Sequence, residues 1–292
     1  MYQNRRSKLI ALMYLMPALL FVAAFTAYPF GRMLWLSLHE WSLLSPPEFV
    51  GIENFRTALA DDQFWVSLRF TLKYTILITP PLMIGGYLLA LLTNDGSRLR
   101  RFTRTVIFIP VVIGLGVSSL LWYWLFSENY GFVNKILMDV GIIDKPVAWL
   151  GVNENTSLYA ISFSIIWKVI GFGMILFVGA MQAIPTEVNE AALVDGAGYW
   201  QRVGRVTLPL TMRTVLLVTL VSIIGSLLAF DQFYLMTAGQ PGNLTATSVF
   251  YVYLNSFPYL KLGYGAALSL ILAVIILAFT VVQMLLTRRS HA

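Results

Sequence analysis

The chain has 292 residues, 58% of them hydrophobic and only 12% charged, with a mean hydropathy of +0.74. Soluble domains carry about 25% charged residues, so composition overrules a length that would suit one or two soluble domains, and this is a membrane protein. The absence of cysteine excludes disulfides, thiolate metal sites and cysteine nucleophiles.

A helix rising 1.5 Å per residue needs about 20 apolar residues to cross a hydrocarbon core about 30 Å thick. Six runs have that length, and together they predict one all-α transmembrane domain over residues 1–292. The first run, 9–30, is too long for a signal-peptide core and lacks a small-residue cleavage site, so a retained helix is expected. Residues 31–69 follow, with "SPPEFVGIENFRTAL", long enough for a short helix on the bilayer surface. The second span, 70–92, holds Pro80 and Pro81, which predict a kink whose freed carbonyls neighbouring helices must satisfy. After the basic cluster "SRLRRFTR" come the third span, 105–126, a connection at 127–156, and the fourth span, 157–182. The loop 185–209 leads to the fifth span, 210–230. A connection at 231–263 with the turn-forming "TAGQPGN" precedes the sixth span, 264–286. Small residues at packing intervals (Gly114 with Ser118, Gly171 with Gly173, Ser222 with Gly225 and Ser226) suit close helix contact in lipid.

Charge sets the expected orientation. With both termini in the cytoplasm, the inner segments hold Arg5, Arg6, Lys8, Arg98, Arg100, Arg101, Arg104, Arg202, Arg205, Arg213, Arg288 and Arg289 against Asp95, Glu187, Glu190 and Asp195. The outer segments are acidic on balance, and Lys168 lies within a span. Lysine and arginine accumulate on the cytoplasmic side of short loops, so the basic excess is a topology signal beside anionic lipid and no nucleic-acid footprint.

Covalent chemistry has no visible home. No Gly-Lys pair occurs, so there is no phosphate-cradling P-loop. His39 and His291 are far apart in sequence and form no zinc motif, and no metal site is expected. No nucleophile elbow is present.

The loop "EAALVDGAGYWQRVGRVTLP" interrupts this apolar chain. Thr186 is the expected N-cap of a helix through Asp195, with Gly196 ending it in a left-handed turn. Glu187, Glu190 and Asp195 fall on one half of that helix, interleaved with Ala191 and Val194; Val188, Ala192 and Leu193 fall on the other. A second piece puts Tyr199, Val203 and Val206 on one face at the membrane interface, and Pro209 opens the fifth span in its first turn. A plain amphipathic connector would account for the early acids through the helix dipole. It does not account for two ordered helices where a tight turn would do, and an ordered acidic knob fits docking to another protein.

The same loop resembles the EAA loop of ABC transporter permeases, E-A-A-x-x-x-G followed by I-x-L-P. Glu190, Ala191, Ala192 and Gly196 match, Leu208 and Pro209 close the motif, Val206 stands where isoleucine is common, and Val203 replaces a frequent aromatic. The resemblance runs through "AYPFGRMLWLSLHEW", "FVGIENF", "RTVIFIP", "SIIWKVIGFGMILFVGAMQAIP", "FDQFYLMTAGQPGN" and "LGYGAALSLILAV". These are similar to the carbohydrate-uptake branch, in the first-permease position of maltose and glycerol-phosphate systems. The resemblance implies the type I importer permease fold of six spans with a cytoplasmic coupling loop at 185–209. It implies a second permease chain, two ATPase subunits that hold ATP and Mg²⁺, a solute-binding protein outside, no cofactor in this chain, and the cytoplasmic membrane of a bacterium or archaeon. Glu187, Glu190, Ala191, Ala192, Asp195 and Gly196 would then couple to the ATPase.

A sugar site needs polar groups beside rings, and the fourth and fifth spans offer Trp167, Lys168, Phe172, Ser222, Ser226, Phe230 and Asp231. Ser222, Ser226 and Phe230 would share one helical stripe. Lys168 would alternatively pair with Asp231 or a backbone carbonyl and serve assembly. An amino-acid or peptide permease and an ion-coupled secondary transporter are the rival readings, the latter because intramembrane charges are functional by default. Stimulation of a partner ATPase by solute separates an ABC importer from a gradient-driven one.

Overall fold

The computed structural model describes residues 5–42 and 44–289. The chain ends expected in the cytoplasm, with His291, lie outside that range. Among the described residues the regular structure is helical except for one small hairpin, in which His39–Glu40 pairs antiparallel with Glu48–Phe49.

Five continuous helices are long and apolar enough to cross a membrane: Leu12–Ser37, Asp62–Thr93, Glu154–Gln182, Tyr199–Leu227 and Leu262–Leu285. The expected third span is instead a bent pair, Arg98–Val112 and Leu115–Leu125, meeting at 96°. Ile113 and Gly114 between them are extended, with ψ of 132° and 142°. The fifth span also differs from its expected 210–230. Its helix starts at Tyr199 and ends at Leu227, so the supposed interface helix and the span are one element, with Pro209 inside it.

A wide turn makes that continuity possible. Proline lacks an N–H and its ring collides with the carbonyl four residues back. Val203–Thr207 forms a π segment, and the Leu208 N–H donates to the Val203 carbonyl five residues back, just ahead of Pro209. Ala23–Ala27 does the same ahead of Pro29, where the Tyr28 N–H donates to Ala23. Pro81 itself opens a third π segment, Pro81–Gly85. The proline pair therefore widens a turn of the second span, which runs on as a single helix, Asp62–Thr93.

The chain forms two compact units, one of Met1–Asp61 with Val252–Val274 and one of Asp62–Tyr251 with Ile275–Ala292. In the first, the expected surface helix in 31–69 is Glu53–Ala60. Asn54 Nδ2 donates to the carbonyls of Ser37 and His39, both at 3.0 Å, fixing this helix beneath the hairpin. The Tyr264 hydroxyl donates to Asp61, and the Leu262 N–H to the Trp41 carbonyl at 2.9 Å. The most apolar stretch of Leu12–Ser37 buries nothing within the chain.

The second unit holds the main apolar core, where Tyr87, Ala90, Met174, Phe177, Val178, Met181 and Val218 bring the second, fourth and fifth spans together. Gly171 permits a close approach: a Cβ there would stand 2.5 Å from the Ile107 carbonyl oxygen. Hydroxyl pairs stitch the second span to the fifth. Tyr87 and Thr211 are 3.3 Å apart, and Thr75 and Ser226 2.9 Å. Interhelical hydrogen bonds of this kind in membranes average about 0.6 kcal/mol, so they set register more than they stabilise. The 127–156 connection folds around buried Asn134, whose Oδ1 accepts from Trp149 Nε1 at 2.7 Å and whose amide donates to the Val147 carbonyl at 3.0 Å.

Candidate functional site

The loop between the fourth and fifth spans carries the helix Thr186–Val194, which buries no residue. Thr186, expected as its N-cap, is the first helical residue; Pro185, extended at ψ 139°, occupies the cap and no side chain caps it. The locked φ of proline already suits a helix entry. At the other end the expected glycine turn is present. Gly196 has φ +76°, its N–H donates to the Leu193 carbonyl, and the Ala197 N–H donates to the Ala192 carbonyl, both at 3.0 Å. These two bonds form a Schellman cap, which satisfies carbonyls the helix leaves open.

Glu187, Glu190, Ala191, Asp195 and Gly196 are exposed and Ala192 is half-buried. Val194 (89% exposed) and Trp200 (71%) stand in the open beside the acids. Neither of the two expected faces of this helix is buried within the chain.

Deeper in the second unit, a cavity of about 240 Å³ opens where the second, fourth and fifth spans meet the Leu115–Leu125 helix. Phe172, Ser222, Ser226, Phe230 and Asp231 all line it, so five of the seven pathway candidates converge. They do so by a different route from the expected stripe. The fifth helix stops at Leu227, and Phe230, at φ −139°, caps a separate short helix, Asp231–Met236. The Phe230 ring stacks on Tyr234 at 5.4 Å. Asp231 is exposed with no cation partner among the described residues, and Ser222 is half-buried with its hydroxyl unpartnered there. Ser226 is engaged already, 2.9 Å from Thr75 Oγ1 and 2.8 Å from the Ile223 carbonyl.

Trp167 and Lys168 lie outside this lining. Trp167 meets Trp122 edge-on at 5.5 Å. Lys168, 7% exposed, pairs with backbone and not with Asp231: its Nζ donates to the Ile113 carbonyl at 2.7 Å, with the Pro110 and Val111 carbonyls at 3.4 Å. Pro110 and Val111 close the Arg98–Val112 helix and Ile113 follows it as an extended C-cap; the Ile113 N–H still donates to the Pro110 carbonyl at 3.3 Å, so the lysine adds to that cap. A cation there meets carbonyls past the last full helical turn and the negative end of the helix dipole.

Two cavity residues escaped the sequence reading. Gln232, 4% exposed, donates from Nε2 to the Tyr74 hydroxyl at 3.2 Å, while its buried Oε1 has no partner. Tyr74 belongs to a polar stripe with Thr71 and Thr75 in an otherwise apolar span, and that spacing was the available signal. Rings, an unpaired acceptor, a free hydroxyl and a carboxylate thus surround one opening, which suits a solute with both C–H faces and hydroxyls.

Residues 83–291 match the family described as binding-protein-dependent transport system inner membrane component. The sulfoquinovosyl glycerol transport system permease protein of Agrobacterium fabrum is 32% identical over 96% of this chain and 91% of its own length. The trehalose/maltose transport system permease protein of Thermococcus litoralis is 32% identical over 96% of this chain and 94% of its own. Among solved structures, a bacterial ABC transporter involved in the import of the acidic polysaccharide alginate superposes with a TM-score of 0.83 and 24% identity, covering 98% of this chain and 96% of that one. A mainly helical multi-pass chain with this fold and these relatives belongs to the binding-protein-dependent transport system inner membrane components, as a non-catalytic permease subunit of an ABC transporter.

Proposed function

We propose that the chain forms part of the translocation pathway of an importer for a sugar, or a related polyol or glycoside, handed over from outside by a solute-binding protein. The cavity beside the Leu227–Asp231 break carries this reading. Its aromatic rings can stack on the C–H faces of a sugar ring. Ser222, Asp231 and the open acceptor of Gln232 can exchange hydrogen bonds with its hydroxyls. Relatives named for sulfoquinovosyl glycerol and for trehalose and maltose point to the same solute class.

The rest of the assembly follows from the family to which the chain belongs. A second permease chain would complete the pathway, and two ATPase subunits would hold ATP and Mg²⁺. The exposed Thr186–Val194 helix would seat on one of them through Glu187, Glu190, Ala191, Ala192 and Asp195, with Gly196 setting its angle. The loop and both termini would then lie in the cytoplasm, with the chain in the cytoplasmic membrane of a bacterium or archaeon.

The test is uptake by the assembled transporter across solute concentrations, with Ser222→Ala, Phe230→Ala and Gln232→Leu made singly. A raised half-saturating concentration in at least one variant is expected. Competition by sugars and polyols, and none by amino acids, is expected for the unaltered protein. Unchanged rate and half-saturation in all three variants, or competition by amino acids alone, would overturn the reading.

A further inference from the structure

A second cavity, of about 220 Å³, lies at the root of the loop helix and shares no lining residue with the first. Its polar lining comes from four segments, with Met181 of the fourth span beside them. Asn94 and Asp95 follow the second span, Arg100 starts the Arg98–Val112 helix, Asn189 sits on the loop helix, and Tyr199 and Arg202 start the fifth helix.

The charges here are unevenly matched. Arg100 pairs with Asp95 at 2.6 Å, and Arg104 Nη2 donates to the Asp95 carbonyl at 2.7 Å. The Ser97 N–H, donating to Asp95 Oδ1 at 3.0 Å, leads the contacts that hold this carboxyl below the usual carboxylate range, so Asp95 is charged. Arg202 has no acceptor among the described residues, and its Nε is buried. Asn94 Oδ1 is buried and unpartnered too. Arg100 and Arg202 against Asp95 leave one positive charge facing the cavity. Buried donors without acceptors are rare because each forfeits its hydration.

We infer that this cavity binds a singly charged phosphate group, with Arg202 as its main ligand. Guanidinium donors match phosphate oxygens in paired geometry. A tetrahedral anion also presents oxygens in directions a carboxylate does not, and Arg100, Asn189 and Tyr199 supply donors from separate walls. The Asn94 amide serves either way round, offering its NH₂ to P–O⁻ or its oxygen to P–OH. The phosphate has two sources: the diester headgroup of a phospholipid, or free phosphate from solution. Either one ties the loop helix, through Asn189, and the fifth helix, through Arg202, to the third span through Arg100. The site would therefore set how firmly the loop helix is held, whatever solute the pathway carries.

The full chain, purified in phosphate-free detergent and stripped of lipid, provides the test by thermal unfolding and native mass spectrometry. One arm adds inorganic phosphate, and another adds phosphatidylglycerol against diacylglycerol of the same acyl chains. Retention or stabilisation in the first arm alone identifies free phosphate; in the second arm alone, a headgroup. Arg202→Gln should weaken binding by about tenfold or more, the loss of a charge-assisted contact, and Arg202→Lys by less. Asn189→Ala should weaken it while leaving unliganded stability unchanged, and Arg56→Gln should do nothing. Phosphate and phosphatidylglycerol both behaving like their controls, or unchanged binding in Arg202→Gln and Asn189→Ala, would overturn the inference.

Discussion

Substituting Gly196 isolates a backbone effect. A side chain there meets nothing, since no atom lies within 4 Å of the position a Cβ would take, yet φ is +76°. Any change therefore acts through the left-handed conformation and the two bonds of the cap. A non-glycine residue in that region costs about 1–2 kcal/mol, and asparagine tolerates it best. Strained backbone of this kind reaches about 3 kcal/mol, and valine, branched at Cβ, belongs at that end. At 1.4 kcal/mol per decade, alanine shifts the capped geometry by roughly 5- to 30-fold and valine by up to roughly 150-fold. If the angle of the loop helix transmits the ATPase stroke, solute uptake in proteoliposomes containing the assembled transporter should rank Gly, Asn, Ala, Val. Valine should fall to about 1% of the unaltered rate, by about that factor. Retention of the ATPase subunits on purification shows that each variant still assembles. Equal uptake for Asn and Val would refute the conformational argument; equal loss in all three would mean that a partner crowds the position.

Three further outcomes follow from the packing and the charge map. Gly171→Ala places a Cβ against the Ile107 carbonyl oxygen at 2.5 Å, so thermal unfolding should show a loss of about 1–3 kcal/mol, with Gly204→Ala, which meets nothing, as the unchanged control; equal melting of the two would refute the close approach. Lys168→Met strands the Ile113 carbonyl now bonded at 2.7 Å, and a loss of about 1–3 kcal/mol is expected by the same measurement, while undiminished stability would show that the burial penalty of the ammonium cancels its bonds. Single cysteines at Gln240 and Val194, both exposed in a chain without native thiols, should label from the outside and the cytoplasm respectively, and the reverse pattern would invert the topology.

Where the sequence could be read, membrane hydropathy did the reading, and hydropathy marks lipid and not helix. It marked the five continuous apolar helices and the bent pair Arg98–Val112 and Leu115–Leu125 but missed that the fifth helix starts at Tyr199, since the polar turns around Arg202 and Arg205 are helical without being apolar. The third span looked uniform because Ile113 is as apolar as its neighbours. Only Pro110 followed by Gly114 marked the bend, and Lys168, 54 residues beyond Gly114 in sequence, is what answers the carbonyls it frees. The Gly196 turn was legible because one residue type fits one backbone conformation. The cavity was legible in part: Ser222 and Phe172 reach it on their helices, whereas Phe230 arrives through a break that helical counting carries straight across.

The π segments also bear on how this chain tolerates insertions and deletions. Each holds one residue more than an α-turn would, and one residue of α-helix is about 100° of rotation. The azimuth of everything beyond Val203–Thr207 is therefore phased by that surplus residue, and the loop helix points where it does relative to the fifth span because of it. Removing a single residue from this stretch would restore ordinary helix, bring the Pro209 ring against a carbonyl, and swing the loop helix about a third of a turn around the bundle. A one-residue gap in an exposed loop is ordinarily harmless; here it would re-aim a helix that buries no residue of its own.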